Sequence, residues 1–357
     1  MAQSSPLLGA TEPAPAHGDA AASSSAPTTA SGSGGGPGRG RSKGLIVRRM
    51  DEIRVLGVLV VLVVIVTVFH PQFLSIASIA NITQQASFFG IIALGMVFLL
   101  SMGELDLSVG GNFAFCAMVV ALLVQSGVNP WLAALAAVAV GGCLGALNAL
   151  LSNALRVPII VISLGTLAAY RGASLIISGA GSVSGGDPDD PFFAVLGGSI
   201  GGIPALSIAF LVLTIILTFV YTKTSFGFAV RAVGSNPHAA RLSGYPINRI
   251  RITVGALVGV LCGISGILSF AFFQASDPAV GTGYELLVVA AAVIGGTTLS
   301  GGRGSVVGAA LGALIVSVIN GALTAFGVSA NYAGFVTGLV IVGAVALDSV
   351  LKRRKRP

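Results

Sequence analysis

Charge is what this chain most lacks. Charged residues make up 9% of its 357 positions and apolar residues 54%, with a mean hydropathy of +0.95. A soluble domain carries roughly 25% charged residues, so a chain this poor in charge could not stay in solution. Cysteine is scarce too. Cys116, Cys143 and Cys262 all fall in apolar runs without metal-ligand spacing, so they are expected to be buried small hydrophobes rather than ligands. His17, His70 and His238 stand far apart. No His/Cys/Asp cluster or Ser/Lys dyad supports a membrane enzyme, and no metal site is expected. The phosphate-loop pattern G-x-x-x-x-G-K-[ST] is absent, so the chain is not expected to bind ATP through a loop of its own.

What is present is a series of apolar runs, each able to span ~30 Å of hydrocarbon as a helix. Backbone groups in lipid must be satisfied internally, which favours helices. A β-barrel needs period-two alternation, whereas Val55 to Val68 is apolar on every side. The expected class is therefore an all-α polytopic membrane protein of about ten helices. The expected spans are 53–70, 84–102, 108–126, 130–152, 158–178, 204–222, 248–274, 285–300, 304–325 and 332–351. The third is separated from the second only by Gly103 to Leu107, which reads as a break within the membrane, and the eighth is short. The 50 glycines suit close helix packing. Residues 1–43 form a low-complexity tail expected to be disordered. It does not read as a secretory signal, because no apolar run precedes its small residues. Residues 44–351 form the transmembrane domain, and 352–357 a basic tail.

The net charge of +7 is not a nucleic-acid signal, because of where it sits. The amino-terminal flank holds Arg39, Arg41, Lys43, Arg48, Arg49 and Arg54, and the carboxyl end Lys352, Arg353, Arg354, Lys355 and Arg356. Alternate loops on that side add Arg156, then Lys223, Arg231, Arg241, Arg249 and Arg251, then Arg303. The opposite loops carry Asp187, Asp189, Asp190 and Asp277, with Glu285 opening a span, and no Lys or Arg. By the positive-inside rule both termini are cytoplasmic. Gly145-Ala146-Leu147-Asn148 is echoed by Gly312-Ala313-Leu314 and Asn320, five spans later. An odd offset would make such a repeat inverted in the membrane.

Three segments carry more specific information. In the loop about 223–250, Gly234-Ser235-Asn236-Pro237-His238-Ala239-Ala240-Arg241-Leu242-Ser243-Gly244 reads as a short helix. Asn236 caps it, Pro237 opens it and Gly244 stops it. A rigid helix of small residues suits docking into a groove on a cytoplasmic partner, although an ordinary capped loop helix reads the same way. Gly103-Glu104-Leu105-Asp106-Leu107-Ser108-Val109-Gly110 puts two carboxylates where two spans meet. Charge at membrane depth marks a pathway or a paired structural site. With no other intramembrane acid or histidine to build a proton relay, Glu104, Asp106, Ser108 and Gly110 are expected to cap a broken helix. Arg171 is the only basic residue well inside a span, and an ion pair with either acid would need it at another depth. The third segment contains Gly295, Gly296, Gly301 and Gly302 in a Gly/Thr-rich turn permitting tight backbone packing.

Together these segments resemble the permease subunits of ribose-type ABC sugar importers. The resemblance takes in Asn81-Ile82-Thr83-Gln84-Gln85, Ile92-Ala93-Leu94-Gly95-Met96, Leu105 to Gly110, Val157-Pro158, Gly234 to Gly244 and Gly281 to Gly304. Leu287, and Ile159 to Leu164, depart from the family's usual residues, which leaves the particular sugar open. The resemblance implies a ten-helix permease that is not itself an enzyme. Its partners would be a second permease copy, a cytoplasmic ABC ATPase that uses the ATP, and an extracytoplasmic sugar-binding protein. It makes Gly234, Asn236, Pro237, Ala240, Arg241, Ser243 and Gly244 the ATPase-coupling residues. A path for a polyol needs hydroxyl, amide and aromatic groups rather than charge. The candidates within spans are Gln84, Gln85, Phe88, Asn148, Thr166, Tyr170 and Asn320, each of which could equally hydrogen-bond between helices. Rival readings are a permease for nucleosides or branched-chain amino acids and an ion-coupled secondary transporter.

Overall fold

The computed structural model describes residues 39–328 together with Tyr332, Gly334, Phe335, Gly338, Leu339 and Gly343, and side chains from Glu52 onward. The expected tail up to residue 38, most of the tenth span and the basic tail 352–357 lie outside the described residues. The first helix, α1 (Arg39–Phe69), starts inside the segment expected to be disordered. Once the apolar run is helical, each further residue adds one hydrogen bond for little cost, so the helix extends past its apolar edge.

Ser75 opens α2 (Ile76–Ser101) by accepting a hydrogen bond from the Ser78 amide. This span begins well before the expected residue 84, because Asn81, Thr83, Gln84 and Gln85 blur its apolar start. After a break come α3 (Val109–Gln125) and α4 (Pro130–Leu155). Asn129 caps α4 with Pro130 in its first turn. Next is α5 (Ile159–Ser178). At the far end of the bundle, β1 (Val183–Ser184), α6 (Pro191–Leu196), β2 (Ser199–Ile200) and β3 (Ile203–Pro204) make a small surface cap. The chain returns through α7 (Ala205–Lys223) to two short helices, α8 (Ser225–Ser235) and α9 (Pro237–Leu242). Then follow α10 (Ile247–Phe273), β4 (Ala275–Ser276) antiparallel to β1, α11 (Tyr284–Ile294) and α12 (Val306–Ala325).

Seven of the described helices are long and apolar enough to cross a membrane, and α3 and α11 are shorter apolar helices. With 11 residues, α11 rises about 16 Å, half of what the hydrocarbon requires. The expected eighth span thus ends at Ile294, where Gly295 and Gly296 take over. The centre of the bundle is α2, ringed by α7, α10, α11 and α12. Its face from Phe88 to Leu100 is buried throughout.

Glycine explains the closest helix pair. Gly141 and Gly145 on α4 meet Gly255, Gly259 and Gly263 on α10 so tightly that an added Cβ would strike the facing backbone. Small residues replace the hydrophobic effect as the source of helix association in lipid, by letting backbones touch. By contrast α1 leaves Val58, Val61, Val64 and Val68 exposed. It joins the bundle through a small cluster of Val66, Phe73, Ile82 and Val318. Cys116 and Cys262 are buried, but Cys143, expected to be buried, is exposed on α4, a surface that an apolar residue can present to lipid. Gly145 packs on α10 and Gly312 on Ala291 of α11, so the two similar tracts share close packing but not a common neighbour.

Candidate functional site

The break between α2 and α3 is where most of the singled-out residues meet. Gly103 turns the chain with φ 76°. Asp106 is 3% exposed and accepts three hydrogen bonds: Ser108 N at 2.8 Å and Ser108 Oγ at 2.7 Å on one oxygen, Asn148 Nδ2 at 3.1 Å on the other. Asn148 Nδ2 also reaches Ser108 Oγ at 2.7 Å, and its carbonyl accepts from Tyr170 Oη at 2.9 Å. The Leu107 amide donates to Ser163 Oγ at 3.0 Å. Asn148 lies seven residues before the end of α4, about 10 Å of helical rise. The break therefore dips into the bundle, and its polar groups are satisfied by Ser108, by Asn148 of α4 and by Ser163 of α5, as backbone at membrane depth requires.

Glu104 has a different partner. Its Oε1 accepts from Arg251 Nη2 at 2.5 Å, and Arg251 Nη1 donates to Asn153 Oδ1 at 2.7 Å. Arg171 pairs elsewhere, with Glu285 Oε2 at 3.5 Å, Thr282 Oγ1 at 2.7 Å and the Gly281 carbonyl at 3.1 Å. The two acids of the break thus do without Arg171. The two ion pairs lie on the two sides that the charge segregation distinguishes.

The loop segment holds two helices where one was expected. Asn236 caps α9, its Oδ1 accepting from Ala239 N at 3.0 Å, and Pro237 begins it. Gly244 follows with φ 82°. Ala240 is buried under α9, while Arg241, Ser243 and Gly244 are exposed. Leu242, at 78% exposure, is a large apolar side chain at the helix tip. The preceding α8 is capped by Thr224. Its buried Ala229, Val230 and Val233 form a helical stripe that was present in the sequence but hidden by the Asn-Pro signal after it.

Gly234 joins this loop to both other segments. A Cβ there would land on the Ser101 carbonyl and close to the Gly302 amide. Gly302 N donates to that Ser101 carbonyl at 2.8 Å. Ser101 Oγ bonds Tyr221 Oη at 2.7 Å, and the Arg231 guanidinium sits 4.9 Å over the Tyr221 ring and donates to its carbonyl. Gly301 faces the Gly234 carbonyl and the Gly103 amide. The end of α2, the loop helices and the turn before α12 therefore touch backbone to backbone. Ser101, Tyr221 and Arg231 belong to this junction and were not legible as such, because the groups that join them are distant in sequence. Gly295 packs on Gly308, and Gly296 has φ 89°; both shape the end of α11.

The other candidates are dispersed. Gln84 and Phe88 are buried in α2 and Gln85 is exposed; Phe88 stacks on Phe273 at 5.7 Å. Thr166 Oγ1 bonds its own helix through the Ile162 carbonyl at 3.3 Å. The Asn320 side-chain Oδ1 is buried and has no partner among the described residues. The structure brings Asn148 and Tyr170 together with Asp106, and not with Gln84, Gln85, Phe88 or Asn320. No group of three or more His, Cys, Asp or Glu able to hold a metal ion occurs among the described residues.

Comparison with known proteins adds a family to this geometry. Residues 78–345 match the model of the branched-chain amino acid transport system / permease component family. The chain is 36% identical over 282 residues to the ribose import permease protein of Bacillus subtilis (strain 168), covering 79% of this chain and 88% of the relative. It is 37% identical over 282 residues to the D-allose transport system permease protein of Escherichia coli (strain K12), covering 79% and 86%. With the ribose import permease protein of Escherichia coli (strain K12) it shares 35% over 302 residues, covering 84% and 94%. No solved structure matches the chain.

Proposed function

Because this chain belongs to the branched-chain amino acid transport system / permease component family, whose model spans residues 78–345, it is a multi-pass membrane transport subunit, and we propose how it works. It is the permease of an ATP-driven importer for a monosaccharide or related polyol. The family's description mentions branched-chain amino acids, but the relatives compared are ribose and D-allose permeases, which favours a sugar. A cytoplasmic ABC ATPase uses the ATP, an extracytoplasmic protein delivers the sugar, and a second permease copy completes the path within the lipid. The chain itself holds no cofactor. Both termini are cytoplasmic, because Arg156, Lys223, Arg231, Arg241, Arg249, Arg251 and Arg303 fall in or beside the connections expected on one side.

The observation that carries this reading is the junction at Gly234. An importer must convert motion of its ATPase into motion of helices. The α8–α9 pair offers Arg241 and Leu242 outward and touches the ends of α2 and α11–α12 inward through Gly234, Gly301 and Gly302. The backbone contacts leave no soft side chain to absorb a displacement. A push on α9 therefore reaches the central helix and the half-length α11 together. Asn236, Pro237, Ser243 and Gly244 hold α9 in shape, and Ala240 seats it.

The test is Arg241→Glu in the assembled complex. Reversing this exposed charge is expected to weaken ATPase association and lower uptake at least tenfold, without affecting permease yield in the membrane. Normal uptake by an intact complex would remove the coupling role.

A further inference from the structure

Arg171 and Glu285 form a charged pair between α5 and α11. Arg171 lies seven residues before the end of α5 and Glu285 is in the first turn of the half-length α11. Arg171 is thus about 10 Å of helical rise below the end of its helix. The two side chains are 21% and 18% exposed, so both reach the surface of the subunit at this depth. Thr282, beside them, is exposed. Ionised groups facing hydrocarbon are too costly to be kept there, and within transmembrane segments they line the bundle interior or a water-filled cavity.

The surroundings hold the pair open. Their closest approach is 3.5 Å, longer than the roughly 2.7–2.9 Å of a tight N–H to carboxylate bond. Arg171 is steered by Thr282 Oγ1 at 2.7 Å and the Gly281 carbonyl at 3.1 Å. Gly110, in the first turn of α3, makes the room: a Cβ there would strike Glu285 Oε2 and crowd Arg171 Nη2. Arg171 is the only partner of Glu285 among the described residues.

We propose that Arg171 and Glu285, spaced by Gly110 and Thr282, are a hydroxyl-binding subsite for sugar in the translocation path. This rests on the importer reading above and departs from the expectation of an uncharged path. A sugar hydroxyl is both donor and acceptor. It accepts from Arg171 Nη2 and donates to Glu285 Oε2, replacing a loose ion pair with two charge-assisted hydrogen bonds. Vicinal hydroxyls extend the contact to Thr282. A partly accessible pair binds weakly, which a path must do if the sugar is to leave.

The experiment uses the complete complex in proteoliposomes, with D-ribose and D-allose as labelled probes and ATP hydrolysis followed in parallel. Glu285→Gln and Arg171→Lys are each expected to lower sugar moved per ATP at least fivefold while hydrolysis stays within twofold. The exchanged pair, Arg171→Glu with Glu285→Arg, is expected to keep assembly and hydrolysis but not uptake. Uptake per ATP unchanged in Glu285→Gln, or restored to the wild-type level by the exchange, makes the pair a structural tie and overturns the proposal. Thr282→Cys gives a readout that does not need the right sugar. It is expected to react with a membrane-impermeant thiol reagent above the baseline set by Cys116, Cys143 and Cys262. Absence of reaction means that lipid or a second copy covers the site, and also overturns it. If the wild-type complex accumulates neither probe with ATP while Thr282→Cys reacts, the choice of cargo fails and the water-facing site stands.

Discussion

Asp106 accepts from three donors. The site is therefore built for a carboxylate. An amide of the same shape would turn one donor group toward Ser108 or Asn148, leaving a buried polar pair unsatisfied. Hydrogen bonds to charged groups contribute about 1.5–3 kcal/mol each. Asp106→Asn is expected to lower the unfolding midpoint of the detergent-solubilised protein by several degrees. Uptake by the molecules that do fold is expected to be indifferent to collapse of a proton gradient. Uptake lost only on that collapse would make Asp106 a proton carrier. At this scale the local chemistry was legible. The Asn236 cap, Pro237 and the Gly244 stop depend on neighbours within a few residues, and all three appear where the sequence places them. The roles of Asn148 and Tyr170 were not. Both read as path residues because they are polar groups in apolar spans. Their partners come from other helices, Asp106 being 42 residues from Asn148, and no local pattern reports that distance.

Among the elements, the half-length α11 and the break before α3 were visible as weaknesses in the apolar runs. A run interrupted by Gly295-Gly296 or by Glu104 and Asp106 cannot continue as a lipid-facing helix. The α8 helix was visible in principle, since Phe226, Ala229, Val230 and Val233 recur at helical spacing. What no single element disclosed was the meeting of three of them at Gly234. That contact yields a prediction about coupling. Gly234→Ala would place its Cβ on the Ser101 carbonyl. Overpacking of this kind costs about 1–3 kcal/mol, and here it is relieved by moving the loop helices away from α2. Complexes carrying it are expected to assemble and hydrolyse ATP while moving at least tenfold less sugar per ATP. Coupling unchanged from wild type would show that motion does not travel through this junction.

For the whole molecule, the segregation of charge and the helix count belong together. Two ion pairs among the described residues join groups that the expected topology puts on one side: Glu104 with Arg251 by the basic loops, Arg171 with Glu285 toward the acidic ones. Only a span gained or lost between the partners would set them on opposite sides of the membrane, so the pairs bear on residues 104–285 and on no other span. Among the described residues the fold was accordingly legible as a bundle of apolar helices, seven of spanning length with α3 and α11 short, while most of the tenth expected span lies outside them; the way α2 is enclosed was not legible, because enclosure depends on which apolar faces find each other. The most direct measurement is accumulation of labelled D-ribose or D-allose by proteoliposomes holding this permease and its ATPase, with the binding protein outside and ATP within. Accumulation is expected to require this chain, the binding protein and ATP hydrolysis, and to persist when all ion gradients are dissipated. Accumulation driven by an ion gradient without ATP would contradict an ATP-driven importer.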